Sequence, residues 1–132
     1  MSYYLATTVG LPFDDAILQT EAALKEQGFG IISRIDIQDT LKTKLDVEFR
    51  RYTILGACNP NLAYQALQIE DKVGTMLPCN VVVQERGSGE SEIAAIDPVA
   101  SMQAIENPEL TKAAEEVRSR LQRVIGALQQ LR

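Results

Sequence analysis

The sequence predicts an α+β domain in which a mainly antiparallel sheet of about five strands packs against helices on one face. Three observations carry this reading. The helical segments are interleaved with β-hairpins and do not alternate regularly with strands, which is the pattern of an α+β fold. Residues 79–86 (CNVVVQER) form the strongest strand signal, and Gly87-Ser88-Gly89 turns the chain back into 91–96 (SEIAAI) as a hairpin. The chain has 132 residues with a 45% hydrophobic fraction, which fits one domain over 1–132 that needs neither disulfide nor metal merely to fold.

The other elements follow in order. Residues 3–9 (YYLATTV) are rich in β-formers and end at Gly10-Leu11-Pro12. Pro12 suits a first helical turn, and Asp14 and Asp15 favour its positive end. Phe13, Ala16, Ile17, Thr20, Ala23 and Leu24 then keep a helical period over about 12–27, with Gly28 at the stop. Residues 29–37 read as a second strand, although Ile32 disturbs the parity of Ile31, Ile35 and Ile37. Residues 38–47 read as a short helix or turn and 49–57 as a third strand. Asn59-Pro60, Asp97-Pro98 and Asn107-Pro108 each pair a capping side chain with a proline suited to the first helical position. They open helices near 60–71, 98–105 and 109–131. In the last, Leu110, Ala114, Val117, Leu121, Val124, Leu128 and Leu131 step by four and three, either a helix laid on the sheet or a short seam between two copies. The expected core is Leu5, Ile17, Leu24, Ile35, Ile54, Val81, Val83, Val117, Leu121, Val124 and Leu128.

Charge and composition exclude several classes. Lys and Arg total 13 against 18 Asp and Glu, a net charge of -5. The basic residues are scattered, where a nucleic-acid binder concentrates them in a patch. No run approaches the ~20 apolar residues of a membrane span. The N-terminus lacks a signal-peptide pattern, and two cysteines do not make a secreted disulfide scaffold, so a reducing cytoplasm is expected. Without histidine, the commonest metal ligand and the usual neutral-pH base are both missing. Gly28-Phe29-Gly30 precedes a strand and is no dinucleotide fingerprint, and Gly87-Ser88-Gly89 lacks a phosphate-loop lysine.

The chemistry-bearing positions are Cys58 and Cys79. Cys58 ends a strand and precedes a helix N-terminus, whose dipole favours a thiolate. Cys79 starts a strand, and each cysteine is followed by an asparagine, Asn59 and Asn80, suited to holding a local turn. Two packed inert thiols, a reversible dithiol, a metal or persulfide site, and a nucleophile are the open alternatives. As metal ligands, Cys58 and Cys79 cannot complete a zinc site alone, although two chains together supply four thiolates. A single pair suits a cuprous ion, and Met76 and Met102, otherwise core residues, add soft thioethers. Asp97 reads as a helix cap before a catalytic acid, and Tyr52 and Lys44 read as packed or snorkelling side chains before pocket walls. No catalytic residue is assigned.

KEQGFGIISRIDI, RRYTILGACNPNLAYQAL, GTMLPCNVVVQE and AAIDPVASM, spanning most of residues 5–105, resemble the domain of unknown function 302 family. The matching motif positions are Tyr52, Gly56, Cys58, Asn59, Pro60, Ala63, Pro78, Cys79, Asn80, Asp97 and Pro98. The resemblance implies a TBP-like layout, with helices against a curved antiparallel sheet, often as a homodimer, and it carries no firm activity. The candidate ligand-binding set is therefore Cys58, Asn59, Cys79, Asn80, Tyr52 and Asp97. The expected function is a binding or carrier module for a small apolar or sulfur-bearing ligand or a soft metal. The alternatives are a thiol-dependent redox or sulfur-transfer enzyme and a structural dimeric interaction protein.

Overall fold

The computed structural model describes residues 2–131. Five strands form one open sheet: β1 Tyr4–Val9, β2 Gly30–Asp36, β3 Tyr52–Cys58, β4 Cys79–Gly87 and β5 Glu90–Ile96. Their order is β1-β5-β4-β3-β2, and every neighbouring pair is antiparallel. The helices are α1 Phe13–Glu26, α2 Ile37–Leu45, α3 Pro60–Ile69, α4 Pro98–Ser101 and α5 Pro108–Leu128, with a 3-10 helix over Asp71–Met76. Among the described residues, no helix is long and apolar enough to cross a membrane.

Short side chains set the helix starts. Asn59, Asp97 and Asn107 each accept backbone N–H bonds in the first turn of the helix that follows, ahead of a proline whose missing N–H costs nothing there. Asp36 caps α2 in the same way, without a proline. The end of α1 is a Schellman motif. Gly28 adopts φ +86°, its N–H reaches the Lys25 carbonyl, and the Phe29 N–H reaches the Leu24 carbonyl at 3.0 Å. This geometry turns Phe29 inward, where it joins Leu24 in the core.

One face of the sheet supplies the core. Thr7 and Val9 of β1, Ile93 and Ala95 of β5, Val81 and Val83 of β4, and Leu55 and Ala57 of β3 are all buried on it. Helices α1 and α5 pack across that face through Ile17, Leu24, Leu121, Val124 and Leu128. The stepped apolar seam of α5 is thus consumed by its own chain. Val117 and Leu131 border the same cluster, partly buried. A second, smaller cluster joins Ala66 of α3, Val73 of the 3-10 helix and Leu110 of α5.

The expected core needs one correction. Ile35 is 47% exposed. The register between β2 and β3 shifts between Ile31 and Ser33, so Ile32 is the extra residue of a bulge and points out at 63% exposure. Beyond it the parity is reversed: Ile31 pairs with buried Ala57, whereas Ile35 pairs with half-buried Ile54 on the opposite face. Leu5 and Ile54 are half-buried rather than fully enclosed.

Candidate functional site

The thiols converge at the end of the β3–β4 pair. Ala57 lies opposite Cys79 in the ladder. Cys58 is the next residue along β3, so strand geometry puts the two cysteine Cα atoms about 6 Å apart. Both thiols are free, Cys58 half-buried and Cys79 buried at 6% exposure. Both residues line one cavity of about 40 Å³.

The walls come from five regions of the chain. Ala57 and Cys58 close β3, and Asn59 begins α3, which adds Leu62, Ala63 and Ala66. Leu77 and Pro78 lead into Cys79, and the Leu77–Pro78 peptide bond is cis. Phe29 enters from the end of α1, and Met102 follows α4. Ala113, Ala114 and Val117 of α5 complete the walls. No carboxylate and no basic side chain is among the lining residues. A water needs roughly 10–15 Å³ by this measure, so the cavity holds only a few heavy atoms or an ion. It is far below the several hundred Å³ of a drug-sized ligand site.

Asn59 is held firmly. Its Oδ1 accepts the Leu62 N–H at 3.2 Å, and the residue is buried. Its amide nitrogen packs against Gly28, where an added Cβ would meet Asn59 Nδ2 at 3.0 Å and Arg120 Nη1 at 3.2 Å. Arg120 in turn donates to the Gln27 carbonyl, which ties α5 to the end of α1 beside the cavity.

A close approach on β3 shapes the opposite side. A Cβ on Gly56 would lie 2.1 Å from Ser33 Oγ and 2.9 Å from Pro78 Cγ. The serine can rotate away, but the proline ring, which precedes Cys79, cannot. Gly56→Ala is therefore expected to cost about 1–3 kcal/mol as an overpacking change. Chemical denaturation checks this, and an unchanged midpoint would mean that the Pro78 segment yields freely.

Burial first, and the neighbouring Cys58 second, push the Cys79 thiol up to about 11. Only the thiolate attacks an alkylating agent. Relative to an unperturbed thiol near 9.0, Cys79 then carries about a hundredfold less thiolate at neutral pH. Iodoacetamide at pH 7.5 is expected to label Cys58 first and Cys79 much more slowly. Peptide mass spectrometry over time reads both rates, and equal rates would contradict the difference in burial.

The other expected site residues lie elsewhere. Asn80 is exposed inside β4, and its side chain holds no turn of the kind that Asn59 holds. Tyr52 and Asn80 line a wide depression on the open sheet face together with Tyr3, Tyr4 and Gln84. The Arg50 guanidinium sits 5.8 Å from the Tyr52 ring centre and donates to Gln84 at 2.9 Å. Asp97 is fully engaged: Oδ1 accepts the Val99 and Ala100 N–H groups, and Oδ2 accepts Arg118 Nε at 2.8 Å. It is a helix cap paired to α5, as its place before Pro98 predicts. Of the two methionines noted in the sequence, Met102 lines the cavity and Met76 does not. Sequence reasoning missed Phe29 and the α5 residues as cavity walls. The only signal for Phe29 was its place just after a helix-stop glycine.

Comparison with known proteins agrees with this architecture. The chain is similar to the crystal structure of an uncharacterized conserved DUF302 protein from Bacillus stearothermophilus, with a TM-score of 0.87, 26% sequence identity and 100% of both chains covered. No curated protein matches it. A family profile described as domain of unknown function DUF302 matches residues 5–128. The chain therefore belongs to the DUF302 family of domains of unknown function.

Proposed function

We propose that this chain is a binding or carrier module that takes a small soft ligand between Cys58 and Cys79. The observation that carries the reading is that both cysteines are among the residues lining a single small cavity with apolar walls. Apolar walls exclude water and favour a ligand that sulfur holds better than water does. The size of the cavity narrows the original expectation. An ion or a few-atom sulfur group fits, whereas a larger apolar ligand needs the walls to part. Two free thiols persist in a reducing compartment, so the cytoplasm suits this role. Intact mass after native purification tests the reading. An adduct that disappears in both Cys58→Ala and Cys79→Ala supports it, and an adduct indifferent to both substitutions overturns it.

The second reading is a thiol-dependent redox or sulfur-transfer enzyme. The closeness of the two cysteines in the β3–β4 ladder favours it. A labile adduct of about 32 Da on Cys58, the mass of one sulfur, would select this reading.

The proposal includes a homodimer. Helix α2 has no fully buried side chain within its own chain, Ile37, Gln38 and Leu41 being half-buried, although short helices draw most of their stability from packing. Leu45 and Val47, at and beyond its end, are exposed. Light scattering at micromolar concentration is expected to give twice the chain mass, and a monomer there would remove this part of the proposal.

A further inference from the structure

We infer that Cys58, Cys79 and the thioether of Met102 form a three-sulfur site for one monovalent soft cation, cuprous copper being the natural occupant. This rests on the reading of the cavity as a small soft-ligand site and names its ligand class. Three sulfur-bearing residues line the same cavity, each brought by a different element: the end of β3, the start of β4 and the residue closing α4. The chain has three methionines and two cysteines in all, so three of its five sulfur-bearing residues line one small space.

The donor set selects the cation. Thiolate and thioether sulfur prefer cuprous copper, which is content with two or three ligands. Zinc in a structural site demands four ligands from cysteine, histidine or carboxylate. The chain has no histidine. Among the described residues, no group of three or more histidine, cysteine, aspartate or glutamate side chains is placed to hold a metal. Calcium and magnesium require oxygen cages, and no carboxylate lines this cavity. The volume, enough for an ion and little else, points the same way.

The surroundings suit the charge. Two thiolates and one cuprous ion leave a single negative charge in an apolar space. The N-terminus of the ten-residue helix α3 begins at Pro60, two residues after Cys58, and presents its positive dipole end there. Met102 is held in place by Asp97. That carboxylate caps α4 and bonds Arg118 of α5, and Met102 closes α4 with its N–H on the Pro98 carbonyl. Asp97 is thus a positioning residue for the third sulfur and not a ligand.

The test is an anaerobic titration of the full chain with cuprous ion against a chromophoric competing chelator, followed by copper-edge X-ray absorption. Expected are one copper per chain and a first shell of three sulfur atoms with no nitrogen or oxygen. Cys58→Ser and Cys79→Ser should each abolish tight binding. Met102→Leu, a volume-conserving change that keeps the fold, should weaken binding about tenfold, the low end of what even an outer-shell change costs. It should also drop the shell to two sulfurs. A two-sulfur shell in the unaltered chain, half a copper per chain, or an unchanged affinity in Met102→Leu would overturn the three-sulfur site. No copper binding, together with a cysteine-dependent non-metal adduct in the native mass, would overturn this inference and leave the broader small-ligand reading standing. An adduct independent of both cysteines would remove that reading as well.

Discussion

Leu121→Ala should lower folding stability by about 2–5 kcal/mol, the cost of deleting a fully enclosed leucine whose cavity collapses only in part. Leu121 is 0% exposed and sits in the main cluster that α5 shares with α1 and the sheet. A domain of this size holds about 5–15 kcal/mol in total, so one such substitution removes a large share of it. The measurement is urea unfolding, with the midpoint read at constant slope so that the loss belongs to the folded state. Two companion variants make the result discriminating. Leu18→Ala, on the outer face of α1 at 64% exposure, should stay within about 0.5 kcal/mol. Ile35→Ala should cost far less than Leu121→Ala, because the bulge at Ile32 carries Ile35 to the open face. A loss below about 0.5 kcal/mol for Leu121 would mean that α5 does not pack as described.

The strands and the helix starts were legible because their signals are local. An Asx side chain followed by proline fixes a helix start within three residues, and three of the five helices begin in that way. Gly28 marked the end of α1 for an equally local reason, its positive φ. What failed was parity across the bulge in β2. Ile31 and Ile35 are both β-formers two steps of two apart, and nothing in their own identities says that Ile32 will be extruded between them. That depends on the register with β3, where Gly56 opposes Ser33. The site divided along the same line. Cys58, Asn59 and Cys79 were recognisable because each sits at an element boundary in a specific local motif. Tyr52, Asn80 and Asp97 share those motifs in sequence, but strand alternation sends the first two to the open face, and capping occupies the third. The cavity walls from α1 and α5 were illegible, since a wall is defined by packing between segments far apart in the chain.

Between pH 9 and pH 11 the folded state should lose about 2 kcal/mol through Cys79 alone. The sign follows from proton binding. The thiol is raised from 9.0 to about 11 in the folded chain, chiefly by burial, so across that window the folded state holds a proton that the unfolded state has already released. Stability falls with rising pH wherever the folded state binds more protons. The contribution is fully present below pH 9 and lost as pH climbs to about 11. That hundredfold difference corresponds to about 3 kcal/mol over the whole titration, at 1.36 kcal/mol for each tenfold, of which about 2 kcal/mol falls between pH 9 and pH 11. Tyrosines and lysines also titrate in this range, so the quantity to measure is a difference between two chains. Urea midpoints at pH 8 and pH 11 are compared for the unaltered chain and for Cys79→Ala. The variant starts lower, because it leaves a small void, but its decline between the two pH values should be shallower by about 2 kcal/mol. Parallel declines would show that Cys79 ionises as readily in the folded chain as in the unfolded one, and that the cavity is open to water at this thiol. Such a result would also remove the expected slow alkylation of Cys79, since both follow from the same burial. The two measurements therefore test the enclosure of the site from independent directions, one by equilibrium and one by rate.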